Sequence, residues 1–285
     1  MRIALAALLA CATGARADNL VTDPGAPFYG NVEMPRAAAM GGAHAAIATA
    51  NDALVVNPAG IATGHKYHFE IDGLYDARFP AQAVTLSIVD TASSPVGSGL
   101  LFSRWASGSP AGRAEGWLGG LAYAGAVGQD LYYGGQTKYI RFHGPDGLSS
   151  HWAQDVGILS RKGGFSWAAV VQNIALEKIP LFPLTGTVAV ALGSDSDWHL
   201  AFDYKADLSD LKGIKHRAAF GGELLLEQSI ALRAGGTFDA TARLWWASAG
   251  VAFLTEKGGL QVAWRRRLTG PFDQLFEAGL TVYLQ

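Results

Sequence analysis

The sequence predicts an all-β protein: an antiparallel transmembrane β-barrel of about 14 strands, with a small, partly helical N-terminal hatch in its lumen. Three observations favour this fold. From about residue 66 onward, apolar side chains recur at every second position, which is the period of a half-buried strand. These runs are about ten residues long, as tilted membrane-spanning strands are, whereas strands of soluble proteins are shorter. The segment before them is rich in Ala and Gly and is compatible with short helices.

The bulk composition fits such a barrel and excludes several other classes of protein. Only 16% of the 285 residues are charged, whereas an average soluble domain has about 25%. The formal net charge of −2 provides no basic field that would attract nucleic acid. No stretch approaches the roughly 18 consecutive apolar residues of a transmembrane helix. An exported chain of this kind is expected in the outer membrane of a Gram-negative envelope.

The first residues are typical of an export signal. Arg2 forms a minimal positive region, residues 3–12 form a short apolar run, and Ala15-Arg16-Ala17 provides a cleavage site. The sequence therefore predicts a signal peptide over residues 1–17. A second interpretation stays open, because Leu8-Leu9-Ala10-Cys11 resembles a lipobox that would make Cys11 a lipidated first residue.

Residues 66–285 are predicted to form the barrel. In the last segment, for example, apolar side chains occupy every second position from Phe276 to Leu284. In a membrane barrel this face meets lipid, and the other face lines the lumen. A large soluble β-sandwich or solenoid is the alternative fold. Aromatic residues near the ends of the runs indicate an interfacial girdle, which comprises Tyr67, Tyr75, Trp105, Tyr132, Tyr133, Trp152, Trp167, Trp198, Trp245, Trp246 and Trp264.

The connections between the predicted strands indicate an orientation. Several connections after even-numbered strands are short, as at residues 128–130, and several after odd-numbered strands are longer, as at 106–115 and 143–150. Because short turns of such barrels are periplasmic, we expect a periplasmic N-terminus. The strand count is defined to within one hairpin. The predicted strands begin near residues 66, 80, 97, 116, 131, 151, 164, 184, 197, 215, 229, 244, 259 and 275.

Residues 18–65 are predicted to form the hatch. A barrel of about 14 strands encloses more space than its own side chains fill. The segment is Ala-rich and contains Pro35 at a position suited to a first helical turn. Small residues such as Gly41 and Gly42 allow its backbone to pack closely against an inner wall. We therefore expect this segment to plug the lumen.

The same segment resembles the N-terminal hatch of a known family. The residues Met40-Gly41-Gly42-Ala43, Asn51-Asp52-Ala53 and Asn57-Pro58-Ala59-Gly60 are similar to the hatch of the FadL family, outer-membrane transporters of long-chain fatty acids and other hydrophobic compounds. They also resemble PorV-type proteins, which share that barrel and serve secretion machinery. The chain is shorter than typical FadL transporters and ends in Gln285 rather than in an aromatic residue.

The resemblance implies passive uptake of hydrophobic small molecules, gated by hatch residues Gly41, Gly42, Asn57, Pro58 and Ala59. The alternative is a PorV-like scaffold that binds other envelope proteins. An open porin is less consistent with an N-terminal plug, because porins use charged constrictions. The sequence predicts no enzyme, no cofactor and no metal site. His65 and His68 lack further ligands at a metal-binding spacing, and no spacing selects a catalytic triad.

Three further sets of residues are candidates for function. The apolar loop with Ile179, Leu181 and Phe182 is predicted to be an exposed entry platform for hydrophobic ligands, or else to pack over the barrel mouth. Arg266 is a candidate contact for lipopolysaccharide phosphates, or one member of a rim charge cluster with Arg265 and Arg267, which point the other way. A kink in the barrel wall, suited to lateral exit of cargo, is predicted at Gly97, Gly99, Gly119 and Gly120.

Overall fold

The computed structural model describes residues 33–64, 66–76, 81–109, 112–144, 147–179, 181–270 and 272–284. The predicted signal peptide and Cys11 lie outside these residues, as do His65 and Gln285. No helix in the described ranges is long and apolar enough to cross a membrane.

Fourteen antiparallel strands form a closed barrel, as the sequence predicts. Each strand pairs with its neighbours in the sequence, and β1 closes the barrel against β14 through pairs that run from Tyr67 with Leu284 to Asp76 with Leu275. The strands are β1 (Tyr67–Asp76), β2 (Ala81–Asp90), β3 (Gly97–Ser109), β4 (Gly112–Val127), β5 (Leu131–Gly144), β6 (Gly147–Lys162), β7 (Phe165–Ile174), β8 (Thr185–Ser194), β9 (Trp198–Asp207), β10 (Lys215–Leu226), β11 (Ile230–Asp239), β12 (Leu244–Thr255), β13 (Gly258–Arg267) and β14 (Gln274–Leu284).

Two predicted loops are instead strand. Residues 106–115 and 143–150 lie largely in the hairpins β3–β4 and β5–β6, whose strands are 13, 16, 14 and 16 residues long. Backbone pairing continues there, but outside a membrane no face has to be apolar, so the alternating pattern is lost. We call the end of the barrel with these long hairpins the hairpin end. The opposite end, where β1 begins, is the short-turn end.

The outward face of the wall is apolar. Phe69, Leu200 and Phe276 are 39%, 58% and 45% exposed, which is the exposure expected of side chains that contact lipid. Most of the predicted girdle residues lie on this face, but Trp105 and Trp246 point into the lumen and are buried, and Tyr132 also packs against a buried apolar cluster there. These residues occupy positions of their strands whose side chains point into the lumen. The inward–outward alternation along a strand therefore overrides the simple rule that aromatic residues at strand ends face the membrane interface.

The lumen contains three short helical segments. They are α1 (Pro35–Ala39), α2 (Ala50–Val56) and a 3-10 helix (Pro58–Thr63), and most of their side chains are buried. Proline occupies the first turn of α1 and of the 3-10 helix, where its missing N–H costs nothing. The Asn57 side chain accepts a hydrogen bond from the Ala59 N–H at 3.2 Å and so caps the 3-10 helix.

Two pairs of wall glycines receive the backbone of this segment. Gly134 and Gly157 are cross-strand partners, and a Cβ on Gly157 would lie 2.1 Å from Asn57 Oδ1. Gly221 and Gly235 are also partners, and Cβ atoms there would lie 2.4 and 2.2 Å from the backbone of Met40. At these distances the wall admits only glycine, so the wall and the hatch fit each other at two fixed places.

We predict that Gly157→Val prevents the Asn57 region from docking while the barrel still forms. The added side chain overlaps the hatch, and overpacking of this kind costs about 1–3 kcal/mol or more. Limited proteolysis should then cleave residues 33–64 faster than in the wild type. Gly119→Val is the control, because a Cβ there faces outward, 3.8 Å from its nearest neighbour, the Trp117 ring. Equal protection of the hatch in both variants would contradict the account.

Candidate functional site

The hatch is joined to the wall by a buried ionic cluster. Arg36 on α1 donates two hydrogen bonds to the Glu223 carboxylate of β10, at 3.0 and 2.6 Å. Arg233 on β11 donates to the same carboxylate at 2.6 Å. Arg233 and Glu223 are both largely buried. One carboxylate of the wall therefore binds two guanidiniums, one from the wall and one from the hatch.

Further polar side chains extend this cluster on both sides. On the wall, Arg233 donates to Gln261 at 3.0 Å, and Gln261 donates to Glu70 at 2.6 Å. On the hatch, Asp52 Oδ2 lies 3.7 Å from the Arg36 guanidinium and 3.3 Å from His44 Nε2. The hatch thus carries its own polar triad of Arg36, Asp52 and His44, with Arg36 as the link to the wall.

The environment shifts the ionisation of the hatch groups. Burial lowers the pKa of His44, so the imidazole is held neutral. Burial alone would raise the pKa of Asp52, but the neighbouring His44 ring, whose Nε2 lies 3.3 Å from Oδ2, and the charge of Arg36 outweigh it and lower this pKa. For Arg36, burial is likewise outweighed by the charge of Glu223, and the guanidinium pKa rises.

Wall side chains also hold the hatch backbone at several points. Asp203 Oδ2 accepts hydrogen bonds from the N–H groups of His44 and Ala45, at 3.1 and 2.9 Å. The wall residues Gln172, Ser248 and Arg161 donate to the carbonyls of Val55, Ala39 and Ala48 at 2.8, 2.8 and 3.0 Å. Loop backbone inside a barrel needs such partners, because unpaired buried carbonyls and N–H groups are costly.

The residues predicted from the motif lie within or against this contact. Asn57 caps the 3-10 helix and also donates to the Ala45 carbonyl at 3.0 Å, so it joins two parts of the hatch. Pro58 and Ala59 lie against the glycine pair of β5 and β6. Gly41 and Gly42 have φ of +69° and +86°, a region that favours glycine. Their role in gating stays a prediction.

Sequence reasoning missed the wall partners. Glu223, Arg233 and Asp203 lie on β10, β11 and β9. The sequence signal that could have found them is their position in the inward–outward alternation of the strand. Charged residues at inward positions of a membrane strand must bind something in the lumen.

An apolar cluster fills the lumen on the side of β1 to β6. Near the hairpin end it contains Trp105, whose ring centroid lies 6.1 Å from those of both Phe142 and Phe182. Phe182 and Ile179 are buried in this cluster, and Leu181 is half-buried. The prediction of an exposed platform was therefore wrong, because these side chains pack inward over the barrel mouth.

The strand pairing shows no irregularity at the predicted wall kink. Pairing runs without interruption through Gly97, Gly99, Gly119 and Gly120. Gly97 and Gly99 instead make room for Ile61 and Leu54 of the hatch, Gly120 makes room for Gln136, and Gly119 faces outward. The strand pairing shifts register between Gln154 and Val156, where β6 meets β7, and opposite this shift Asn173 has φ of +60°.

Two cavities lie on either side of the hatch. A cavity of about 130 Å³ toward the hairpin end has a mixed lining of apolar and charged groups. A larger, polar one of about 550 Å³ opens toward the short-turn end. The first includes Val55, Val56, Pro183, Lys205, Arg217 and Arg265, and the second includes Arg36, Asp52, Lys66, Arg161, Asp195 and Tyr283.

The arginine run at the end of β13 is divided between the two faces, as its alternation predicts. Arg265 and Arg267 are buried in the lumen, and Arg265 donates to Glu33 of the hatch segment at 2.9 and 2.6 Å. Arg266 is exposed and lies over the Phe272 ring, 5.3 Å from its centroid. Its contact with lipopolysaccharide stays a prediction.

Solved structures share this architecture. A FadL homologue of Pseudomonas aeruginosa superposes with a TM-score of 0.71 and 10% identity, over 88% of this chain and 99% of its own. The toluene transporter TbuX of Ralstonia pickettii gives 0.65 and 13%, over 88% and 98%. The toluene transporter TodX of Pseudomonas putida gives 0.62 and 12%, over 94% and 99%. No family model and no curated protein matches the sequence. The chain therefore has the fold of FadL-type outer-membrane barrels.

We predict that Glu223→Gln loosens the hatch. Removal of the carboxylate leaves Arg36 and Arg233 buried without their anion, and breaking a buried pair in this way costs about 3–5 kcal/mol. Hydrogen exchange of residues 33–64 should accelerate strongly while the strands stay protected. Glu256→Gln, in an exposed turn, is the control and should leave exchange unchanged. A hatch equally protected in Glu223→Gln protein would show that the cluster does not hold it.

We also predict that the hatch loosens in acid. His44 is neutral when docked but takes up a proton when released, so docking weakens as the pH falls below about 6.5. The contribution of Asp52, whose pKa is lowered, is lost only at lower pH. Hydrogen exchange of the hatch should therefore rise between pH 7 and pH 5, and His44→Gln should remove most of that rise. If hydrogen exchange in His44→Gln protein depended on pH as it does in the wild type, a titrating group other than His44 would be responsible.

Proposed function

We propose that this barrel takes up hydrophobic small molecules passively across the bacterial outer membrane, with the hatch gating its lumen. It acts as a transport channel rather than as an enzyme. The observation that carries the proposal is the combination of a hatch docked inside the lumen with an apolar aromatic cluster inside the barrel mouth. An open pore for polar solutes would need neither feature.

The docked hatch supports selective rather than free passage. The glycine pairs and the Arg36–Glu223–Arg233 cluster hold the hatch between the two cavities. Charged and polar solutes that enter from either end meet buried backbone and paired charges. Movement of the hatch or wall around residues 41–42 and 57–59 is the proposed gate. The shifted register at β6 and β7 is a second place where the wall departs from regular pairing.

The aromatic cluster supports an apolar cargo. Trp105, Phe142 and Phe182 provide a surface on which a hydrophobic molecule stays out of water, and burial of apolar area contributes roughly 25 cal/mol per Å². The related barrels TodX and TbuX are toluene transporters, so small aromatic compounds are candidates for the cargo beside long-chain fatty acids.

We further propose that the short-turn end faces the periplasm and the hairpin end faces outward. The connections after β4, β6, β8, β10 and β12 are two or three residues long, as periplasmic turns of such barrels are. Arg266 at the hairpin end is then placed to meet lipopolysaccharide phosphates.

Phe182→Asp should lower uptake of radiolabelled toluene and oleate by cells that lack other uptake channels. A carboxylate in the aromatic cluster is costly to desolvate and repels apolar cargo, so we expect at least a fivefold loss. Leu176→Asp is the matched control, because Leu176 lies in the same loop but is fully exposed. Unchanged uptake in Phe182→Asp protein, with wild-type amounts in the membrane, would reject the apolar route. Co-purification with an envelope protein and no uptake at all would favour the scaffold.

A further inference from the structure

A row of aromatic side chains crosses four strands on the outer face of the barrel. Phe102 on β3 pairs with Gly119 on β4, which pairs with Tyr139 on β5, which pairs with Trp152 on β6. Trp117 leans over Gly119, with its ring centroid 6.3 Å from Phe102 and 5.1 Å from Tyr139. The Tyr139 and Trp152 rings are 4.9 Å apart. We call Phe102, Trp117, Tyr139 and Trp152 the aromatic row.

Two exposed arginines flank the aromatic row on its hairpin side. Arg104 pairs with Trp117 across β3 and β4, and Trp117 pairs with Arg141 across β4 and β5. The Arg104 side chain is 56% exposed and lies 3.6 Å from Glu115, a contact that contributes little in solvent. Arg141 is exposed and forms no hydrogen bond or ion pair with a described residue. Both guanidiniums are therefore accessible to an anion outside the barrel.

The aromatic row lies at the height of a membrane interface. Below it, the outward face of β4 carries Leu121, Tyr123 and Val127, which are all more than half exposed. The ten residue-to-residue steps from Trp117 to Val127, at about 3.3 Å per step and a tilt of about 40°, span about 25 Å. That is the height of the apolar band of outer-membrane barrels. Arg104 and Arg141 thus lie where the band meets the headgroups.

We propose that the aromatic row, Arg104 and Arg141 form a binding site for lipopolysaccharide. The acyl chains of lipid A pack on the aromatic rings, and each guanidinium binds one phosphate through paired hydrogen bonds. Arg104 and Arg141 lie on strands two apart, about 10 Å at the usual strand spacing. A headgroup with two phosphates engages both, whereas phosphatidylglycerol, with one, engages a single arginine. The site rests on the proposed outward orientation of the hairpin end and not on the cargo.

The site is tested by lipid titration of delipidated protein in detergent micelles, with Kd measured for four probes. These are diphosphoryl lipid A, monophosphoryl lipid A, phosphatidylglycerol and inorganic phosphate. The wild type should bind diphosphoryl lipid A at least tenfold more tightly than the other probes. R104Q/R141Q should lose at least tenfold in affinity for diphosphoryl lipid A. The control R243Q/K178Q removes two exposed positive charges at the same end and should change this affinity less than twofold.

Two further variants separate geometry from charge. R104K/R141K keeps the positive charges but not the planar guanidinium groups, and it should show an intermediate loss of affinity for diphosphoryl lipid A. This variant replaces R104Q/R141Q if the R104Q/R141Q protein does not fold. Trp117→Leu should weaken lipid A binding but not remove the preference for two phosphates. Equal lipid A affinity in R104Q/R141Q and R243Q/K178Q would overturn the proposal. Wild-type protein that binds phosphatidylglycerol as tightly as diphosphoryl lipid A would also overturn the proposal. Uptake of toluene should be unchanged in R104Q/R141Q, so the two proposals fail separately.

Discussion

The Glu223 carboxylate, bound to guanidiniums from both the wall and the hatch, is the contact on which the arrangement of the lumen depends. In a largely buried setting neither Arg36 nor Arg233 can remain charged without an anion, and Glu223 cannot remain charged without them. Such a pair adds little net stability over apolar packing, but removal of one partner leaves the others buried without it. The cluster therefore fixes the position of α1 inside the barrel more than it raises the stability of the fold.

The glycine pairs complement this electrostatic constraint with a steric one. Gly134 with Gly157, and Gly221 with Gly235, lie on well-separated parts of the wall and receive the two ends of the hatch. Around the docked hatch the lumen has two kinds of lining. The side of β1 to β6 carries the apolar cluster, and the side of β9 to β14 carries most of the paired charges. A hydrophobic molecule and a polar one thus meet different surfaces in the same barrel.

Much of this architecture could be predicted from the sequence because a membrane strand needs an apolar face at every second residue. That requirement gave the strand number and most strand boundaries, and it correctly separated Arg266 from Arg265 and Arg267. It could not give the length of the β3–β4 and β5–β6 hairpins, since the pattern ends where the membrane ends. It also could not show that Phe182 turns inward, because an apolar loop looks the same whether it faces water or an aromatic pocket. The partners of the hatch depend on contacts between residues far apart in the sequence, such as Arg36 and Glu223, which are 187 positions apart, and no local pattern encodes them.

The central claim is that the docked hatch closes the lumen to ions while hydrophobic molecules still pass. The most direct measurement combines the ionic conductance of the wild-type protein in a planar bilayer with the entry of a labelled hydrophobic compound into proteoliposomes from the same preparation. We expect faster entry of the compound than into protein-free vesicles, with no steady ionic current. A stable, open-pore conductance in the wild type would contradict it.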